Sequence, residues 1–128
     1  MKIAATVARL LLGLMFLVFG SNAFLNFIPQ GAPPPGLAGE FSAALFKAHY
    51  FYAVGVVMVF SAVLFLANRY VALALVLLGP VLVNILLFHL LMAPSSIWMG
   101  LFATALWFLV FWRERAAFMP LFRPCPAK

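Results

Sequence analysis

The stretch YVALALVLLGPVLVNILLFHLLM, residues 70–92, decides how the rest of the chain is read. It contains no Asp, Glu, Lys or Arg, and its apolar side chains cover every face of a helix rather than one stripe. A helix apolar all round, and longer than the ~20 residues that cross a bilayer core, reads as a membrane span. Pro80 is compatible with this, because in a membrane helix neighbouring groups can satisfy the carbonyl that a proline leaves free. Three more apolar runs are read as spans, at residues 3–28, 50–67 and 97–112, the last two being short segments for which ~17 residues suffice.

Composition agrees with lipid as the solvent. The 128 residues are 68% hydrophobic and 8% charged, whereas in a soluble domain about half are apolar and about a quarter charged. The expected fold is an all-α integral membrane four-helix bundle forming a single transmembrane domain over residues 1–128, with no internal repeat and no soluble domain. The first run has features of a leader peptide, Lys2 and Arg9 ahead of an apolar core and Ser21-Asn22-Ala23 as a cleavage-like triplet. It continues through Phe24 to Ile28, too long for a leader, and is read as a helix.

Eight Lys and Arg against two acids give a net charge of +6, a balance that in another setting suggests nucleic acid. Here the charges cluster at the ends of apolar runs and act as topology signals, so no nucleic-acid partner is expected. With four spans, Lys2, Arg69, Arg113, Arg115, Arg123 and Lys128 fall on one side, with Arg9 nearby, while the other side carries Lys47, offset by Glu40. Positive charge stays inside, which predicts cytoplasmic N- and C-termini in a multi-pass protein of the cytoplasmic (inner) membrane. Tyr50, Tyr52 and Trp98 then mark the outer boundary, and Tyr70 and Trp112 the inner one. The basic tail, residues 113–128, is expected to attract anionic lipid at about 1 kcal/mol per charge. Cys125, the single cysteine, excludes an internal disulfide.

Connections are short except for the first loop, residues 29–49. It opens with Pro29-Gln30-Gly31-Ala32-Pro33-Pro34-Pro35-Gly36, a proline-rich backbone that lacks amide donors and cannot sit in hydrocarbon. Its second half places Leu37, Phe41, Ala44, Leu45 and Ala48 at helical spacing, predicting a short amphipathic helix at the outer interface.

Polar groups within the spans are where function is sought, since they are costly there. Arg9 lies about two turns in from the inner end; it is either a snorkelling anchor or the partner of a facing carbonyl or amide. Counting depth brings Asn22, Asn26, His49, Asn84 and His89 to one outer layer, with Glu40 and Lys47 above them. Two readings stay open for that layer. One is hydrogen bonding between helices, which also serves backbone freed by Pro80 and Pro94. The other is a ligand-binding pocket, mostly apolar with a few polar groups, suited to a lipid-like or quinone-like molecule. A narrower variant makes His49 and His89 axial ligands of a haem. Asn84 and His89 are five apart, about 140° around a helix, so at most one faces the centre. Gly13, Gly20 and Gly55 suit close approach of helices, and the 15 Phe suit lipid contact and inter-helix filling.

No catalytic set emerges. The chain lacks Asp, and its two acids, Glu40 and Glu114, lie in a loop and a tail, so paired-carboxylate or Ser-His-Asp chemistry has no support. No phosphate-cradling loop or metal-ligand cluster is present either. No cofactor is therefore predicted, with quinone or haem as the alternatives.

The motifs RLLLGLMFLVFG (residues 9–20), NFIP (26–29), NRYV (68–71) and GPVLVNILLFH (79–89), in this order and spacing, resemble the DoxX family of small bacterial integral membrane proteins, specifically its DoxX-like branch. The resemblance covers roughly the first three spans. It implies a four-helix membrane bundle, and its relatives include a subunit of a thiosulfate:quinone oxidoreductase. The matched polar positions are Arg9, Asn84 and His89. Two positions depart from the pattern: where family members often carry a Lys after the Gly20 region and a Glu after the Val-Gly of the second span, this chain has Ala23 and Met58. The expected role is a non-catalytic membrane component that binds a hydrophobic ligand or a partner membrane protein, or associates with itself. The alternative is a membrane subunit of a quinone-linked oxidoreductase of the thiosulfate:quinone type.

Overall fold

The computed structural model describes residues 2–28 and 32–126, and among these the chain is all-helical. The elements are α1 (Lys2–Leu25), α2 (Leu37–Lys47), α3 (Tyr50–Ala67), α4 (Val71–Met92) and α5 (Trp98–Glu114), with 3₁₀ segments at Pro94–Ser96 and Arg115–Phe122. The opening of the proline loop, residues 29–31, and the last two residues lie outside the described residues. Three helices, α1, α3 and α4, are long and apolar enough to cross a membrane. The fourth apolar run forms α5, whose 17 residues fall just short of the other three.

Each helix ends for a local reason. α1 stops at Leu25, three residues before the apolar run does, because Asn26 turns into the left-handed region (φ 49°). The Ile28 N–H then donates to Asn22 Oδ1 at 2.9 Å, closing the helix end with a side chain. α2 begins after Gly36 (φ 74°), carries Glu40 in its first turn and Lys47 in its last, and so matches the helix dipole at both ends. Its span agrees with the amphipathic segment expected there. α3 ends at Asn68 (φ 55°), where the Asn68 and Arg69 N–H groups donate back to Phe65 O (3.2 Å) and Leu64 O (3.1 Å). That left-handed cap, followed by Tyr70 at φ 53°, reverses the chain into α4 within three residues.

α1 packs on α3 and α5, and α4 packs on the same two, so the four long helices close into a ring, with α2 lying across one end against α3 and α4. The buried core is drawn from all four: Ala8, Leu12 and Phe16 of α1, Ala62 and Phe65 of α3, Ala74, Leu75, Leu78 and Leu82 of α4, Ala103, Leu106 and Val110 of α5. Buried positions recur every three or four residues, as one helix face requires. Many of them are small. Large apolar side chains such as Leu14, Val56, Phe60, Val83, Leu87 and Phe108 are exposed instead, around the outside of the ring. A water-soluble chain does not present apolar surface of this extent, and a lipid-facing one does.

The closest approach is between α1 and α3. A Cβ added at Gly20 would lie 2.9 Å from Met58 Cβ and 3.1 Å from Val59 N, and one at Gly55 would lie 2.9 Å from Ala23 Cβ and 3.1 Å from Gly20 O. The two helices therefore meet backbone to backbone at these glycines. Ala23 and Met58 both sit at this interface.

Candidate functional site

A cleft of about 410 Å³ lies at the α2 end of the ring, half open to its surroundings. α1 contributes Asn22, the proline loop Ala32 to Pro34, α2 Gly39, Ser42, Ala43 and Phe46, and α3 Phe51. Local sequence builds it. The loop's prolines hold an extended backbone, which runs over α2 so closely that a Cβ on Gly39 would collide with the Pro34 carbonyl. Phe46 and Phe51 meet at a 4.6 Å centroid distance and form an aromatic wall. The lining is mostly apolar.

Hydrogen bonding in the cleft is partly uncommitted. Asn22 Oδ1 accepts from the Ile28 N–H, which fixes the orientation of the amide and leaves its two Nδ2 donors without partners among the described residues. Ser42, half-buried in the same wall, likewise makes no side-chain hydrogen bond among them. An apolar cavity with a few donors is the usual form of a site for a small hydrophobic ligand bearing acceptors.

Of the five residues placed in one layer by depth, Asn22 lines this cleft and the other four do not. Asn26 is exposed and forms the left-handed turn after α1. His49 is exposed, caps the start of α3 at φ 57° and stacks on Tyr52 at 5.4 Å. Asn84 is exposed, and its Nδ2 donates to Pro80 O one turn back in α4 at 2.9 Å. His89 Nδ1 pairs with Ile85 O at 2.8 Å, again one turn back, and its ring meets Phe88 edge-on. The side-chain hydrogen bonds of this layer thus stay within a helix or its terminal turn instead of joining helices. Asn84 also bonds the carbonyl of Pro80 itself, whereas the carbonyl that Pro80 leaves free is that of Val76, four residues earlier. No group of three His, Cys, Asp or Glu residues suited to a metal ion occurs among the described residues.

Arg9 is partly buried, and its Nη1 donates to Phe65 O on α3. That carbonyl belongs to the last turn of α3, so the guanidinium sits at the negative end of the helix dipole and ties α1 to α3. Arg9 Nε and the hydroxyl of the fully buried Ser61, one turn back from Phe65, have no partner among the described residues.

Sequence reasoning missed Ser42, Phe46 and Phe51 as cleft residues. The amphipathic helix that carries Ser42 and Phe46 and the span that carries Phe51 were legible, but which side the proline loop covers is a long-range outcome. It also missed Trp107, whose Nε1–H donates to Leu75 O at 3.1 Å and links α5 to α4, next to the Val76 carbonyl that Pro80 leaves free. A tryptophan in one span beside another that carries an internal proline is the signal that could have found it.

No protein-family model, curated protein or solved structure matches the chain.

Proposed function

We propose that the chain is a multi-pass four-helix protein of the cytoplasmic membrane, of the DoxX-like kind, that binds a hydrophobic ligand in the cleft beneath its proline loop and performs no chemistry of its own there. Termini and basic tail lie on the cytoplasmic side, and α2 with the cleft faces outward. The observation that carries this reading is the cleft itself: apolar walls, two phenyl rings, and uncommitted donors on Asn22 and Ser42. Its volume lies within the roughly 300–1,000 Å³ usual for ligand sites. α5 completes the bundle as the fourth span, since ~17 residues is the lower limit for crossing. None of the described residues lining the cleft is titratable, which supports binding rather than catalysis.

A second reading is favoured by the same donors. Two carbonyl oxygens of a quinone would accept from Asn22 Nδ2 and the Ser42 hydroxyl while the ring packed on Phe46 or Phe51. The protein would then serve a quinone-linked oxidoreductase as its membrane subunit, the electrons coming from another chain.

Native mass spectrometry of protein extracted gently from its own membrane, with an absorption spectrum of the same sample, tests both. The expected result is a retained lipid- or quinone-sized adduct on the wild type that is absent from Ser42→Phe, whose added ring fills the cleft. A quinone mass or a redox enzyme in the same complex selects the second reading. A bare wild-type chain, or an adduct equally abundant on Ser42→Phe, contradicts ligand binding in the cleft and leaves a partner membrane protein as the role of this surface.

A further inference from the structure

A second concavity, about 260 Å³, lies at the opposite end of the ring, where Lys2 of α1 meets Trp112, Arg113 and Arg115 at the end of α5. The fold brings these cations together from the two ends of the sequence. We propose that this groove is a binding site for the phosphate of an anionic phospholipid headgroup, a site distinct from the general attraction of a basic tail to a charged membrane. The inference rests on the membrane placement proposed above.

The groove is built rather than incidental. Arg115 lies over the Trp112 ring, its guanidinium carbon 4.6 Å from the centroid, and its Nη1 donates to the Trp112 carbonyl. Arg113 reaches back across the seam to Thr6 Oγ1 at 3.0 Å, fastening α5 to α1. Each contact uses one of five guanidinium donors and leaves the others for an anion. α1 starts at Lys2 with no acidic residue in its first turn, so its unpaired amides add positive potential at the same place. Glu114 lies between the two arginines, yet no ion pair joins it to any of the three cations among the described residues.

The lipid, rather than free phosphate, is the source because of what surrounds the cations. Trp112 is an exposed indole at the end of an apolar helix, the usual position of an interfacial anchor. Beside it the chain turns into a 3₁₀ segment that exposes Met119, Leu121 and Phe122. Charge for a phosphate and apolar surface for acyl chains thus adjoin.

The test is native mass spectrometry of delipidated protein in detergent, titrated with phosphatidylglycerol and with phosphatidylcholine. A one-to-one adduct is expected with phosphatidylglycerol at concentrations where phosphatidylcholine gives none, undiminished by millimolar inorganic phosphate. Arg115→Gln and Lys2→Gln, on opposite walls, should each weaken it about fivefold. Arg123→Gln removes the same charge from the exposed tail outside the groove and should leave the adduct unchanged. Equal retention of the two lipids, or equal losses in Arg123→Gln and Arg115→Gln, would overturn the site, and competition by inorganic phosphate would reassign it to the free anion. Alkaline extraction of the same membranes keeps the two proposals apart. A chain released by carbonate refutes membrane integration itself, whereas an integrated chain without lipid preference refutes the groove alone.

Discussion

Gly55→Val should lose about 2–3 kcal/mol of stability, close to the upper end of what overpacking a tight interior costs. Helix propensity alone predicts the opposite sign, because glycine is the worse helix former by ~1 kcal/mol relative to alanine. Sterics decide. A Cβ on Gly55 meets Ala23 Cβ at 2.9 Å and the Gly20 carbonyl oxygen at 3.1 Å, atoms fixed by the α1 backbone that no rotamer change removes. Relief requires α1 and α3 to separate, which opens the longest contact in the fold. Gly79→Ala is the control: its Cβ would come no closer than 3.8 Å to Trp107, so that variant should be neutral or slightly more stable. Thermal unfolding in one detergent checks the pair. Equal stability of Gly55→Val and wild type would show that α1 and α3 do not meet at these glycines.

Arg9→Met should cost about 1–2 kcal/mol, less than the ~1.5–3 kcal/mol of a full charge-assisted hydrogen bond. The discount has two sources. Phe65 O keeps the Asn68 N–H as a donor after the substitution, so no acceptor is orphaned. Arg9 Nε is itself buried without a partner among the described residues, and methionine removes that desolvation cost along with the bond. What remains is the cation at the negative end of α3 and the tie from α1. A lowered unfolding midpoint, with membrane insertion intact, is the expected result. An unchanged midpoint would return Arg9 to the role of a snorkelling anchor.

The helices were legible because residues 3–28, 50–67, 70–92 and 97–112 are apolar nearly throughout, and the observed helices end within three residues of those runs. Asn26 is the instructive case: the apolar run continues past it, but its left-handed backbone and the Asn22 side-chain cap stop α1 early. Depth along each helix was also countable at about 1.5 Å per residue. Rotation about the axis and choice of bonding partner were not. Asn84 and His89 each find a carbonyl four residues back, the local bond open to polar side chains on a helix. That outcome needs no neighbouring helix, and for that reason depth alone could not gather the polar layer into one site. The cleft depends on a proline loop folding over α2, a contact between segments that carry no marker of each other. Arg9 is intermediate: its position left a snorkelling anchor and a partner of a facing carbonyl both open, and Phe65 O as its partner required the α1–α3 register set by Gly20 and Gly55.

The placement in the membrane, on which both the cleft and the groove depend, is tested most directly with the chain's own thiol. Cys125 is the single cysteine and is exposed, on the tail assigned to the cytoplasmic side. Ala43→Cys in a Cys125→Ser background puts the reporter on exposed α2 instead. With a membrane-impermeant maleimide, Cys125 should react in inverted vesicles and stay unlabelled in intact spheroplasts, and Ala43→Cys should show the reverse. Labelling of both from the same side, or of Cys125 in intact spheroplasts, would contradict the four-span topology.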